Sequence, residues 1–242
     1  MTALRIGIIG YAGRMGQAIG HAVSTHPRAT LAGGVVIETP PEPIHGEPMI
    51  TNDAEKLFPR CDVMIDFSSP AATPDYARMA ARHGVPFMSG TTGLSDKDKD
   101  ALSEVARHIP LLYAANTSLS LVVMKQLTTL AARLLRDDDY DITILDRHHR
   151  LKKDAPSGTA KSLAEAVTAG NGGHKEPSLA AFRAGFIVGE HEVSFVGEGE
   201  TITLTHTVTD RAIFARGALQ AALWLHGREP GLYGMNDVLG ID

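Results

Sequence analysis

The chain has 242 residues, of which 43% are hydrophobic and 5% aromatic, with a formal net charge of −5. Such a length buries one large core or two modest ones, and the negative balance excludes a nucleic acid or an anionic membrane surface as a partner held by bulk charge. The lone cysteine, Cys61, forms no internal disulfide, no apolar run approaches a membrane span, and Arg5 interrupts any leader-like start, so the expectation is a cytoplasmic protein with Cys61 as a small core residue.

Leu4 to Ile9 is a short apolar run that fits a buried parallel strand. It runs into Gly10-Tyr11-Ala12-Gly13-Arg14-Met15-Gly16, followed by helical spacing to Thr25. Strand, glycine turn and helix form the context of a dinucleotide fingerprint. Gly10 suits the tight turn, Gly13 lets backbone N–H groups approach a pyrophosphate, and Gly16 lets the helix pack closely, while the helix N-terminus favours the phosphates. A second strand is expected over Leu31–Ile37, with Glu38 as the acid for the adenosine ribose. No arginine follows Glu38, which favours NADH slightly over NADPH. Residues 39–48 read as a proline-rich loop.

Further strands are expected at Val63–Phe67, Val85–Ser89 and Leu111–Ala115, separated by helices over Thr73–His83 and from a Ser95/Asp98 capping pair through His108. Gly90-Thr91-Thr92-Gly93 and Asn116-Thr117-Ser118 follow their strands on the side where open α/β sheets bind ligands. Five strands alternating with helices predict an α/β fold, a Rossmann-like doubly wound parallel sheet. After a helix over Leu119–Leu135 and an acidic helix end at Asp137–Asp139, the pattern changes. Asp141–Leu145 alternates as a strand, Lys161–Thr168 is helical, and Gly170-Asn171-Gly172-Gly173 reads as a flexible connector. Strands at Leu179–Arg183, Glu190–Val196 and Glu200–Val208 then predict a second, α+β domain for substrate and oligomerisation. The expected division is 1–118 with 212–242 against 119–211, with a final helix Ile213–His226 and a tail from Gly231 packing back on the first domain.

The chemistry concentrates in His148–Ala160, HHRLKKDAPSGTA. His148 and His149 can exchange protons near neutral pH, and Lys152 adds a compact positive charge and a proton. Ser157 opens a helix whose first N–H groups, at Gly158 and Thr159, suit a carboxylate. Adjacent histidines also suggest a metal, but Asp146 and Asp154 are the only nearby carboxylates and no usual ligand motif is present, so no metal is expected. The residues alone support a nicotinamide-dependent dehydrogenase acting on a small acidic molecule. Another dehydrogenase of imino or amino dicarboxylates, or a non-catalytic NAD sensor, remains open; a sensor has no need of His148, Lys152 and Ser157–Thr159.

With Gly10–Gly16, Asp66-Phe67-Ser68, Gly90–Gly93, Ala114-Ala115-Asn116, HHRLKKDAPSGTA, Val188–His191, Leu204-Thr205-His206 and Gly231-Leu232-Tyr233, the chain resembles the 4-hydroxy-tetrahydrodipicolinate reductase (dihydrodipicolinate reductase) family nearly end to end. The resemblance implies a reduction by NADH or NADPH in the diaminopimelate route to lysine. Hydride reaches C4 of the cyclic dicarboxylate with loss of its 4-hydroxyl, and protonation of the enamine gives tetrahydrodipicolinate. It implies His148 as the acid–base residue and Lys152 as the proton donor that also faces a carboxylate, with His149, Ser157, Gly158 and Thr159 as substrate contacts. Gly10, Tyr11, Ala12, Gly13, Arg14, Met15, Gly16, Gly90, Thr91, Thr92, Ala114, Ala115, Asn116 and Thr117 are implied as cofactor contacts, and a homotetramer as the assembly. Departures are Thr117 and Ser120, where relatives often carry Phe and Gly, Val36 at the acidic position unless the loop shifts to bring in Glu38, and Arg147 ahead of the histidines.

Overall fold

The computed structural model describes residues 2–38 and 48–241. The chain forms two compact units, Met1–Thr117 with Ala212–Asp242, and Ser118–Arg211. The first contains β1 (Leu4–Ile9), α1 (Arg14–Ser24), β2 (Ala29–Val35), β3 (Met49–Thr51), α2 (Ala54–Leu57), β4 (Val63–Asp66), α3 (Thr73–His83), β5 (Phe87–Ser89), α4 (Asp96–Val105) and β6 (Pro110–Tyr113). The second contains α5 (Leu119–Leu134), β7 (Asp141–His148), α6 (Gly158–Asn171), β8 (Ser178–Arg183), β9 (Gly189–Val196) and β10 (Thr201–Val208). The chain then returns to the first unit with α7 (Ala212–Leu225), β11 (Gly231–Tyr233) and α8 (Met235–Val238).

The first sheet has seven strands in the order β11-β6-β5-β4-β1-β2-β3, all paired in parallel. Strands covered on both faces read as continuous apolar runs, and Ile6, Ile8, Val63, Met64, Ile65, Phe87, Met88, Leu111 and Leu112 are fully buried. The order reverses between β1 and β4, which places a ligand crevice outside their carboxyl ends. Two of the strands were not anticipated. β3 is three residues long and pairs with Gly33–Val35, too short to carry a periodic signal. β11 falls in what reads as a tail, and pairs with Pro110–Leu112 of β6.

The second strand is displaced from its expected span. β2 begins at Ala29 and ends at Val35, whose carbonyl accepts the N–H groups of Gly10 and Tyr11 at 3.2 and 3.0 Å. Val36 donates instead to Thr51 at 2.9 Å, and Ile37 is 99% exposed. The proline-rich loop lies mostly outside the described residues. Ser95 and Asp98 do form a capping box at the start of α4. Burial pushes the Cys61 thiol up to about 12, as suits an unreactive core residue.

In the second unit the sheet order is β10-β9-β7-β8, with β7 parallel to β8 and antiparallel to β9. One face carries Ile142, Ile144, Val193 and Phe195, which pack with Leu163 and Val167 of α6 and Met124 of α5. The glycine run at 170–173 is not a flexible connector. Gly170 and Asn171 are the buried last turn of α6, and Gly172 closes it in the left-handed conformation at φ 67°. Gly170 is required by close helix packing, since a Cβ there would lie 2.3 Å from the Thr129 carbonyl oxygen of α5. Gly170→Ala is therefore expected to destabilise the fold by roughly 1–3 kcal/mol despite alanine's better helix propensity. A thermal midpoint equal to or above that of the parent would show that the two helices separate freely.

Candidate active site

In the first unit, a candidate cluster lies at the carboxyl ends of the parallel strands. A cavity of about 400 Å³ is lined by Met15 after β1, Phe67–Pro70 after β4, Gly90–Thr92 after β5, Ala115–Thr117 after β6, and Phe214 of α7. Gly10 adopts φ 79°, and a Cβ there would lie 2.5 Å from the Phe67 carbonyl oxygen, so the two loops meet at the crevice through glycine. Gly16 is pressed against the same turn, with room for a Cβ only 2.3 Å from the Gly10 carbonyl oxygen. The start of α1 has no side-chain cap and no acidic residue in its first turn. Its first N–H groups are the donors that helix geometry leaves unpaired, a setting that fits a pyrophosphate.

Of the expected cofactor residues, Met15, Gly90, Thr91, Thr92, Ala115, Asn116 and Thr117 line this cavity. Gly10, Gly13 and Gly16 belong to the turn that carries Met15 and are not among the lining residues, and Gly13 donates its own N–H to the Gly10 carbonyl at 3.0 Å. Tyr11 lies against Gly20 and Gly34, while Ala12 and Arg14 are exposed and Ala114 is half-buried. Glu38 is exposed three residues beyond the end of β2. Thr117 turns its hydroxyl to the Phe214 carbonyl at 2.7 Å, so the aromatic walls of the cavity are Phe67 and Phe214.

Asp66 organises these loops from below. It is fully buried and accepts from Ser68 N–H (3.0 Å) and from the hydroxyls of Ser68 (2.6 Å), Thr73 (2.7 Å), Ser89 (2.9 Å) and Thr91 (3.1 Å). Several neutral donors satisfy one buried carboxylate here, which fixes the ends of β4 and β5 together.

In the second unit, a separate cluster grows from β7, which extends past Leu145 to include His148. His148 is thus a strand residue held by the sheet, and only His149 onward is loop. Alternation places Asp146 and His148 on the face that carries Ile142 and Ile144. Register then sets His191 of β9 beside Asp146 and His206 of β10 beside His191, with Arg183 of β8 beside His148. The imidazoles of His148 and His191 meet edge-on at 5.2 Å, and those of His191 and His206 stack at 6.1 Å. The His206 Nε2 lies 3.0 Å from the hydroxyl of Ser120, one of the departures noted in the sequence.

The helix that Ser157 is expected to open is α6, which begins at Gly158. Ser157 is its N-cap and accepts from the Ala160 N–H at 3.2 Å. A Cβ on Gly158 would meet nothing within 4 Å, so the space over the first turn is open. Lys152 pairs with Asp154 at 2.8 Å, and His149 is half-buried. Arg147 points to the other face of the sheet, 3.5 Å from Glu190, and takes no part in the cluster.

The electrostatics follow from burial. Desolvation lowers the pKa of His148 below the usual imidazole range, with Asp146 opposing and Lys152 and Arg183 assisting. His191 is lowered to about 4, chiefly by burial, and burial lowers His206 as well. Burial works against the charge of Asp146, but the N–H and hydroxyl of Ser157 and the Arg183 guanidinium outweigh it and its pKa is lowered. Asp146, His148 and His191 offer atoms within 4.8 Å of one another, a spacing that would suit a metal. The Arg183 guanidinium lies 3.0 Å from Asp146 Oδ2, a positive charge that competes with a cation for that carboxylate.

A family model described as the N-terminus of dihydrodipicolinate reductase matches residues 4–117, and one for the C-terminus matches residues 120–239. The 4-hydroxy-tetrahydrodipicolinate reductase of Acinetobacter baumannii (strain AYE) is 41% identical over 100% of this chain and 98% of its own. The chain belongs to the dihydrodipicolinate reductase family. A second relative, 4-hydroxy-tetrahydrodipicolinate reductase 1 of Mesorhizobium japonicum, is 40% identical over 97% of this chain and 96% of its own. The fold matches that of a dipicolinate-bound dihydrodipicolinate reductase from Paenisporosarcina sp. TG-14, at TM-score 0.86 and 23% identity over 96% of this chain and 98% of that one. Like its family, the chain is an NAD(P)H-dependent oxidoreductase. Among the described residues no helix is long and apolar enough to cross a membrane.

Sequence reasoning gave several participants no role. Phe67–Pro70 follow β4 at the point where strand order reverses, a signal present in the sequence once that order is known. Phe214 stands 97 positions from the Thr117 that its carbonyl binds, and no local pattern marks it. Arg183, His191 and His206 are polar residues on the inward side of alternating strands, which is itself the mark of a buried network.

Proposed function

We propose that this chain reduces 4-hydroxy-tetrahydrodipicolinate to tetrahydrodipicolinate, in the cytoplasm, with the residue roles that follow. The observation that carries the reading is the convergence of His148, Lys152 and the open N-terminus of α6 in a family whose relatives bear that activity in their names. The Gly10–Gly16 turn and the 400 Å³ cavity hold the reduced nicotinamide dinucleotide, which supplies the hydride when bound. Gly158 and Thr159 present first-turn N–H groups to one substrate carboxylate, and Lys152 meets a carboxylate with its charge. His149 and Ser157 complete that contact, and His148 with Lys152 handles the proton that the reduced product takes up.

Glu38 reaches the adenosine ribose, and with no arginine or lysine in residues 39–47 the pocket takes NADH at least as well as NADPH. The assembly is a homotetramer formed through the second unit, supported by the face of its sheet opposite the helices, where Phe182 and Val196 are 53% and 40% exposed. A coupled assay with freshly generated substrate tests the activity: loss of nicotinamide absorbance is expected with either cofactor, and its absence with both removes the reading. Titration is expected to give NADH binding equal to or tighter than NADPH. A clear preference for NADPH would remove Glu38 from the ribose.

A further inference from the structure

Both parts of the substrate site converge on one carboxylate to which no role has been given. Asp146 Oδ1 lies 2.9 Å from the Ser157 hydroxyl and 2.9 Å from His148 Nδ1, with His191 Nε2 at 3.4 Å. Its Oδ2 accepts from the Ser157 N–H at 2.8 Å and from Arg183 Nη2 at 3.0 Å. Arg183 also donates to the Asp154 carbonyl at 2.5 Å, bracing the loop that carries Lys152. Asp146 is fully buried, and a buried charge persists only where its partners are placed to hold it.

We propose that Asp146 is the positioning residue of the site, orienting the His148 imidazole through Nδ1 and the α6 anion-binding turn through Ser157. This rests on the reading of His148 as the acid–base residue. The carboxylate sits 2.9 Å from Nδ1 but off the N–H axis, so that nitrogen has no aligned partner. A carboxylate at Nδ1 selects the tautomer with its proton there and leaves Nε2 as the working nitrogen. Gly189 keeps that nitrogen clear, since a Cβ at this position would lie 3.1 Å from Nε2. The other charged or titratable groups around His148 are Lys152 in the following loop, Arg183 on β8, His191 on β9 and His206 behind it on β10.

The test is Asp146→Asn, which keeps the shape and removes the charge. Turnover is expected to fall roughly 10–10³-fold, with a raised KM because Asp146 also sets the cap of α6. The ¹⁵N spectrum of His148 is expected to leave the Nδ1–H tautomer while circular dichroism stays unchanged. Asp146→Glu, which keeps the charge, is expected to recover part of the turnover. Turnover within twofold of the parent together with an unchanged His148 tautomer would overturn the proposal. If Asp146→Asn does not fold, Ser157→Ala decides the matter. Removing one donor leaves the carboxylate less compensated, so the His148 pKa should rise, and an unmoved pKa would overturn the proposal equally. His148→Ala, assayed in parallel, separates the two ideas. Normal turnover there with a shifted tautomer in Asp146→Asn ends the acid–base reading and leaves the positioning role standing.

Discussion

His148→Ala and Lys152→Ala are each expected to lower kcat/KM by roughly 10²–10⁴-fold, the usual scale for a placed proton-transfer group. The two losses should differ in kind. Lys152 meets a substrate carboxylate in ground state and transition state alike, so its loss should raise KM as well as lower kcat. His148 is buried at the end of β7 and its pKa is lowered by that burial, so near neutral pH the free protein holds it uncharged. Its removal should fall mainly on kcat. The proton that the product takes up must be on Nε2 before it is given, and burial disfavours that charged form, so kcat/KM of the parent should decline as pH rises through the lowered His148 value. That alkaline limb should be absent in His148→Ala. Because the pair acts on one proton, the double variant should lose far less than the product of the single losses. Near-normal rates in both single variants, measured with saturating cofactor, would show that proton transfer is carried elsewhere.

How much of this site was legible in the sequence depended on distance along the chain. The glycine turn, the Ser95 cap and the Ser157 helix start are local devices, set by residues within a few positions of one another, and each can be read from spacing. The alternation of Ile142 and Ile144 predicted a strand, and extending it by two further alternations would have placed Asp146 and His148 on the inner face. The reading stopped at Leu145 because polar residues normally end a buried face, whereas here they continue it. The convergence of His191, His206 and Arg183 on that face is set by the pairing of β7, β9, β10 and β8, a long-range register with no local signature. The glycines at 170–173 illustrate the reverse error. Glycine clusters usually signal loops, yet Gly170 is a packing residue whose partner, Thr129, lies on α5.

The same network makes a second large effect expected, on stability. The second unit should be markedly weakened by mild acid. His191 is 4% exposed and its pKa is lowered from 6.5 to about 4. The sign follows from linkage: between those values the unfolded chain holds the proton and the folded one does not. The contribution is therefore fully present above pH 6.5 and is lost as pH falls towards 4. At about 1.36 kcal/mol per unit, the shift amounts to a loss on the order of 3 kcal/mol. His148 and His206, also lowered by burial, act in the same direction. Asp146, whose lowered pKa keeps it charged, gives up its own contribution as pH falls through its folded value. Three neighbouring imidazoles cannot all become charged in one buried row without strong mutual repulsion and desolvation cost. Urea midpoints followed by circular dichroism should thus fall steeply between pH 7 and pH 4.5. In His191→Gln, which keeps a polar side chain without the titration, the slope over that window should be clearly shallower. An identical slope in that variant would place the acid sensitivity outside the histidine row and remove burial of His191 as its source.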